Sequence, residues 1–473
     1  MEHLFDKLDQ YGTGEIYPCH MPGHKRRGWG KLPEEMYRQD ITEIEGFDDL
    51  HHPEKILKEL QEHAADLYGA EESFYLINGS TSGILSAVSA AIPCGGHILM
   101  ARNCHKSAYH AVYLRNLSAT YLYPEVMEMY DIPDVITPDQ VRKALEKETD
   151  IGAVLIVSPT YEGRISDIKG IAEVVHKKRI PLIVDEAHGA HLGFSPVLAP
   201  NSCQAGADLV IHSVHKTLPS LTQTALLHVN GNLIDRERLR RFLRIYQSSS
   251  PSYLLMASID NALQYVEETG TEAFAAFAQN YRKMLEALSV CEKLRFLPLE
   301  PERQDIGKLL ISTKMTVMSG KKLYDILLKN YKLQLEMAAE TYALAMFTVN
   351  DTEEGYKRLQ SALLQIDASL DDRIEGSARE PFFRAVSQNV SSLSAIPLAR
   401  AWDMDKCFVE LQDSEGCYAG EFVNLYPPGI PLLVPGEEIA VPDIKNIMRY
   451  IKAGLNVQGI EIKEDKIQIC ILK

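Results

Sequence analysis

The stretch IGAVLIVSPTYEGRISDIKGIAEVVHKKRIPLIVDEAHGAH (151–191) decides how the chain is read. Ile151 to Val157 is an unbroken apolar run of buried-strand length, far short of a membrane span. KGIAEVVHKKR (169–179) is amphipathic, and PLIVDEA (181–187) is apolar until it meets two carboxylates. The alternation extends in both directions. DLVIHSV (208–214) comes next, and upstream FYLIN (74–78) precedes TSGILSAVSAAI while HILMA (97–101) precedes HKSAYHAVYLR. Strands alternating with helices in this way argue for an α/β body with a mostly parallel sheet covered on both faces.

Around that body the texture changes. Ile56, Leu57, Leu60, Ala64 and Leu67 recur at helical spacing and stop near Gly69. Before them, residues 1–50 are rich in Gly, Pro, His and charge without a sustained period, and are expected to form an ordered arm. Beyond about residue 285, KLLISTK and YALAMFTVN read as strands, and KKLYDILLKNYK and GYKRLQSALLQID as helices, which suggests a smaller α+β domain. The expected division is an arm (1–50), a large domain (51–284) and a C-terminal domain (285–473). Residues 365–381 read as a surface connection, and YPPGIPLLVPGEE (426–438) as a structured loop, because proline is excluded from helix and central-strand interiors.

Composition sets limits on function. A chain of 473 residues with 45% hydrophobic and 24% charged residues is an ordinary globular protein of two or three domains. Its net charge of −16 repels nucleic acid and suits cationic ligands, although a solubilising acidic surface gives the same total. No membrane-length apolar run is present, and the start, MEHLFDKLDQYGTG, lacks the basic and apolar regions of a signal peptide, so the expected compartment is the cytoplasm. The eight cysteines show no CxxC or Cys/His metal spacing and read as free thiols.

In an open α/β sheet, ligands collect at the carboxyl ends of the strands. After FYLI comes Asn78-Gly79-Ser80-Thr81-Ser82-Gly83, whose glycines, hydroxyls and helix-start N–H groups can hold a phosphate, as can a plain Ser/Thr cap hold only its own helix. Asp185 ends an apolar strand, where an unpaired carboxylate costs several kcal/mol, so it needs a buried cation or a metal. His188 and His191 could share a metal with it, on weak spacing. The next strand runs into His215-Lys216, a lysine that could equally be solvated.

Together, an anion cradle, a buried Asp at one strand end and a Lys at the next are what pyridoxal phosphate needs: an anion site, a carboxylate for the ring nitrogen and an amine for a Schiff base. Here the chain resembles the Orn/Lys/Arg decarboxylase family of fold-type-I pyridoxal-phosphate enzymes. The resemblance rests on MPGHK (21–25), DITEIEGFDDLHHPE (40–54), LYGAEESFYLINGSTSG (67–83), RNCHKS (102–107), SPTYEG (158–163), DEAHGAH (185–191), HSVHKTLPSLTQ (212–223), QSSSPSY (247–253) and YPPGIPLLVPGE (426–437). It implies that Lys216 carries the cofactor and Asp185 pairs with its ring nitrogen. His105 would stack on one ring face and Ala187, followed by His188, would pack on the other. Gly79, Ser80 and Thr81, helped by Ser213 and His215, would hold the phosphate, and Ser249 or Ser250 would reach the phosphate of a neighbouring subunit.

The implied reaction is decarboxylation of a basic L-amino acid (arginine, lysine or ornithine) to its amine in polyamine metabolism. Lys216 or His215 would return the proton, and Glu421, Asp48 or Asp49 would meet the distal cation. Larger members carry an N-terminal wing domain for which a chain reaching MPGHK by residue 21 has no room, so a homodimer or a pair of dimers is expected. An aminotransferase would reuse the same Lys and Asp, and a catalytically silent regulatory homologue is the reading from another class.

Overall fold

The apolar runs become strands because each is long enough to cross a sheet and has no polar face to present to water. The computed structural model describes residues 1–28, 30–300, 302–370, 396–426, 429–463 and 466–473. Its main strands are Glu72–Leu76 (β1), His97–Ala101 (β2), Ser118–Leu122 (β3), Ile151–Val157 (β4), Leu182–Asp185 (β5), Leu209–His212 (β6) and Ala225–Val229 (β7). All five expected runs are among them; β3 and β7 are additions. Ile98, Leu99, Val154, Leu155, Ile183 and Val210 are fully buried, each contributing on the order of 1.5–3 kcal/mol of burial free energy.

The chain divides into two compact units, Met1–Ala91 with Ile168–Ala275, and Ile92–Asp167 with Ala276–Lys473. In the first, β5 and β6 are parallel, with Asp185 opposite Ile211, while β7 runs antiparallel to both β6 and β1. The helix Ile56–Tyr68 stops at Gly69, which takes the left-handed conformation at φ +69° and lets Ala70 N–H reach the Ala65 carbonyl at 2.9 Å. In the second, β2 is parallel to β3 and β4. The same unit carries the antiparallel pair Lys308–Ser312 and Tyr342–Met346 with the helices Gly320–Tyr331 and Glu353–Ser369, as their periods indicate. The fold is thus an α/β body on a mostly parallel sheet with a further α+β part. Among the described residues no helix is long and apolar enough to cross a membrane.

Two expectations need correction. The arm contains the helices Leu4–Thr13 and Glu34–Gln39. The first is anchored by Leu4 and Leu8, both fully buried, and Asp260 accepts the Leu4 N–H at 2.7 Å, an end support that no local pattern reveals. The proline-rich segment is also not all loop. Ile430–Leu433 is a strand antiparallel to Val423–Leu425, and it tolerates Pro431 because it lies at the edge of its small sheet. Pro427, Pro428 and the part of the expected connection beyond residue 370 lie outside the described residues.

Candidate active site

The anion cradle is built where β1 turns into the helix Gly79–Ala91. Gly79 sits at φ +72°, a conformation costly for other residues, and its N–H donates to the Gln223 carbonyl at 2.9 Å. The next residues start a 13-residue helix whose first-turn N–H groups form the positive end of its dipole. Ser80 Oγ accepts a hydrogen bond from Ser213 Oγ at 2.9 Å, which joins this turn to the segment leading to Lys216. Thr81 is exposed, and Ser82 Oγ turns back onto the Gly79 carbonyl at 2.8 Å. Gly83 brings helix and sheet together: a Cβ there would lie 2.7 Å from Leu76 Cδ1 and 3.0 Å from Ile211 Cγ2.

Asp185, 6% exposed, is the last residue of β5 and accepts the Ala187 N–H of its own turn at 3.2 Å. Burial pushes its carboxyl above the ordinary value, while the Lys216 ammonium and that N–H pull it back. The positive charge acting on Asp185 is thus that of Lys216, which is half-buried. Lys216 Nζ lies 3.2 Å from His188 Nε2. An ammonium only donates, so Nε2 is the acceptor and a neutral His188 carries its proton on Nδ1. Ala187 is buried beside it. His215 Nδ1 donates to the Thr224 carbonyl at 2.8 Å, and burial lowers its basicity, which keeps the imidazole neutral.

Ser249 and Ser250 are exposed, on a segment where Ser248 N–H donates to Asn78 Oδ1 at 3.0 Å, one residue before the cradle. His105 belongs to the second unit. It caps the helix Lys106–Leu114, its Nδ1 accepting the Ser107 N–H at 3.2 Å, and a Cβ at Gly429 would lie 3.8 Å from its Nε2.

The acidic residues considered for a distal cation are engaged in the fold. Burial alone would raise Asp48, but backbone N–H groups of Glu54, Lys55, Asp49 and Leu57 outweigh it and hold the carboxyl below its ordinary value. Asp49 accepts the His51 N–H at 2.8 Å, and Glu421 is paired with Lys406 at 2.7 Å and with the Trp402 indole at 3.0 Å. Among the described residues the donors close enough to share a metal are His97, Glu148 and Asp150, not Asp185 with His188 and His191. Sequence reasoning missed two buried groups. Glu186 with His212 and His228 lies behind the strand ends. Arg102, 4% exposed, directly follows β2 and binds Glu437 at 3.0 Å and the Pro431 and Leu432 carbonyls at 2.7 and 3.2 Å.

The family pattern described as "Orn/Lys/Arg decarboxylase, major domain" matches residues 3–309, and "Orn/Lys/Arg decarboxylase, C-terminal domain" matches 395–459. The chain belongs to the Orn/Lys/Arg decarboxylase family. It is 31% identical to an arginine decarboxylase of Bacillus subtilis (strain 168), with 97% of this chain and 95% of the relative aligned. It is 32% identical to an arginine decarboxylase of Halalkalibacterium halodurans, again over 97% and 95%. The structure of the Francisella novicida lysine decarboxylase LdcF has the same fold, with a TM-score of 0.82 at 17% identity over 99% of this chain and 81% of that one. As a member of this family the chain is a pyridoxal-phosphate-dependent decarboxylase. Its residues fit the cofactor: the Gly79 turn and Ser80 suit a phosphate, Asp185 is a buried carboxylate in need of a positive partner, and Lys216 is an amine within reach of His188.

Proposed function

We propose that the enzyme decarboxylates a basic L-amino acid, with L-arginine going to agmatine and CO2 as the first assignment. The observation that carries the reading is the placement of the buried Asp185 at the end of one strand and of Lys216, whose charge acts on it, in the turn of helix that follows the neighbouring parallel strand. The choice of arginine is supported by relatives of that name aligned over nearly the whole chain.

When bound, pyridoxal phosphate supplies an electron sink for the pair left behind as CO2 departs. Lys216 Nζ is the attachment point, and the hydrogen bond to His188 orients it. Asp185 would hold a proton at the ring nitrogen, a charge interaction stronger in a buried site than in water. The Gly79–Ala91 helix start, with Ser80 and Ser213, holds the phosphate, and Thr81 adds an exposed hydroxyl. Ala187, buried beside His188, would pack on one face of the ring. Lys216 would be the group that returns a proton to Cα; His215 is the second candidate, although its Nδ1 proton is committed to Thr224.

The proposal includes a cytoplasmic homodimer or pair of dimers in which the exposed Ser249 reaches the neighbouring subunit's phosphate, and the division into an arm (1–50), a cofactor domain (51–284) and a C-terminal domain (285–473). Incubating the holoenzyme with L-arginine, L-lysine and L-ornithine, and identifying the amine by mass spectrometry, tests it. Agmatine as the main product is expected. Cadaverine or putrescine would reassign the substrate, and a 2-oxo acid formed only with an acceptor present would make the protein an aminotransferase.

A further inference from the structure

Behind the strand ends of the first unit, four buried side chains are linked in series. Glu186 Oε2 lies 2.7 Å from His212 Nε2, His212 Nδ1 lies 3.0 Å from His228 Nε2, and His228 Nδ1 lies 2.6 Å from Ser73 Oγ. His212 and His228 are wholly buried, Glu186 is 1% and Ser73 5% exposed. The sheet register builds the series. Ser73 faces His228 across β1 and β7, His228 faces Val210 across β7 and β6, and His212 follows Val210 by two residues on the same face. The Tyr68 ring covers both imidazoles, with centroids 4.7 and 4.6 Å away.

Three hydrogen bonds need three protons. With Glu186 ionised and both histidines neutral, the set holds three: Ser73 donates to His228, His228 to His212, and His212 to Glu186. One added proton reverses every bond. Glu186 then donates to His212 Nε2, His212 Nδ1 to His228 Nε2, and His228 Nδ1 to Ser73 Oγ, whose own hydrogen turns to another acceptor. The histidines stay neutral because burial lowers both, His212 to about 3, whereas burial pushes Glu186 up to about 8. Facing Glu186 are His212, His191, Cys203, Tyr68 and Ser202, whose N–H and hydroxyl donate to it at 3.0 and 2.7 Å.

We propose that Glu186, His212, His228 and Ser73 are a one-proton positioning relay that sets the charge one residue from Asp185 and steadies the segment running from His212 to Lys216. Its link to the active site rests on the decarboxylase reading; the relay itself does not. With Glu186 ionised, a second negative charge beside the Asp185 turn tightens the hold on the ring-nitrogen proton. The absorbance of bound pyridoxal phosphate therefore changes as the relay titrates.

Glu186→Gln tests this without breaking the packing. The glutamine oxygen can accept from His212 and Ser202 N–H, and its amide can donate to the Ser202 hydroxyl, so only the titration is removed. The folded carboxyl is raised above its unfolded value, so the folded state holds the extra proton between the ordinary carboxylate range and about 8. The stability it contributes is complete below that window and is lost as pH rises through it. The melting temperature of the cofactor-free wild type should therefore fall relative to E186Q from the ordinary carboxylate range up to about pH 8, by on the order of 2 °C, and run parallel to it above. A difference that does not vary with pH overturns the relay. As a second measurement, 15N-histidine-labelled wild type should show the ring nitrogens of His212 and His228 exchanging protonated and unprotonated character around pH 8, where the folded carboxyl titrates; fixed tautomers overturn it too. In the holoenzyme, a pH-dependent cofactor absorbance lost in E186Q supports the link to Asp185, and identical profiles remove it. The pH-dependent melting with no amine product would leave the relay standing and refute the decarboxylase reading.

Discussion

Arg102 and Asp185 are both buried charges at the carboxyl ends of strands, one in each unit, yet their surroundings differ in kind. Arg102 is tied to Glu437 and to the Pro431 and Leu432 carbonyls, none of which reacts. The charge opposing Asp185 is the amine of Lys216, a group with chemistry of its own. On the proposed reading that amine would carry the cofactor, and the ring nitrogen would become the positive partner of Asp185. A charge held by inert partners is an anchor; a charge whose partner is consumed is poised to receive a ligand.

The contrast can be broken by exchanging the consequences of mutation. Asp185→Asn should lower kcat/KM on the order of 10³-fold, about 4 kcal/mol of lost electrostatic stabilisation, with an unchanged or raised melting temperature, since a desolvated charge is removed. Loss of melting temperature in step with activity would make Asp185 an anchor like Arg102. Arg102→Ala should do the opposite, costing about 3 kcal/mol in denaturant unfolding because Glu437 and two carbonyls lose a buried cation. Little change would mean that water replaces the guanidinium. Ser213→Ala sharpens the comparison at the smaller end. Removing the hydroxyl that braces Ser80 should weaken cofactor binding by about 1 kcal/mol, roughly 5-fold, by equilibrium dialysis with pyridoxal phosphate.

These outcomes concern residues of unequal legibility. Asp185 and Lys216 could be singled out in sequence because each lies at or just past the end of a strand-like run, and the strands and helices of the body followed from short-range period. Arg102 was quoted only as part of a motif, since the carboxylate and carbonyls that hold it lie more than three hundred residues away. The Leu4–Thr13 helix was missed for the same reason: its end is supported by Asp260. The relay was invisible because His212 and His228 sit on different strands, and strand register sets which side chains meet. Pro431 misled because proline excludes central strands but not edges.

Gly83 acts as a spacer of zero length. With no side chain between Leu76 and Ile211, the helix rests directly on the sheet, so its first turn stands at a fixed height above the strand that neighbours Asp185. A flat aromatic ring with one short phosphate arm cannot stretch to follow a displaced helix. In the proposed site the height of the phosphate cradle is therefore set at Gly83, and alanine there would have to shift either Leu76 or the helix before anything at the strand ends had changed.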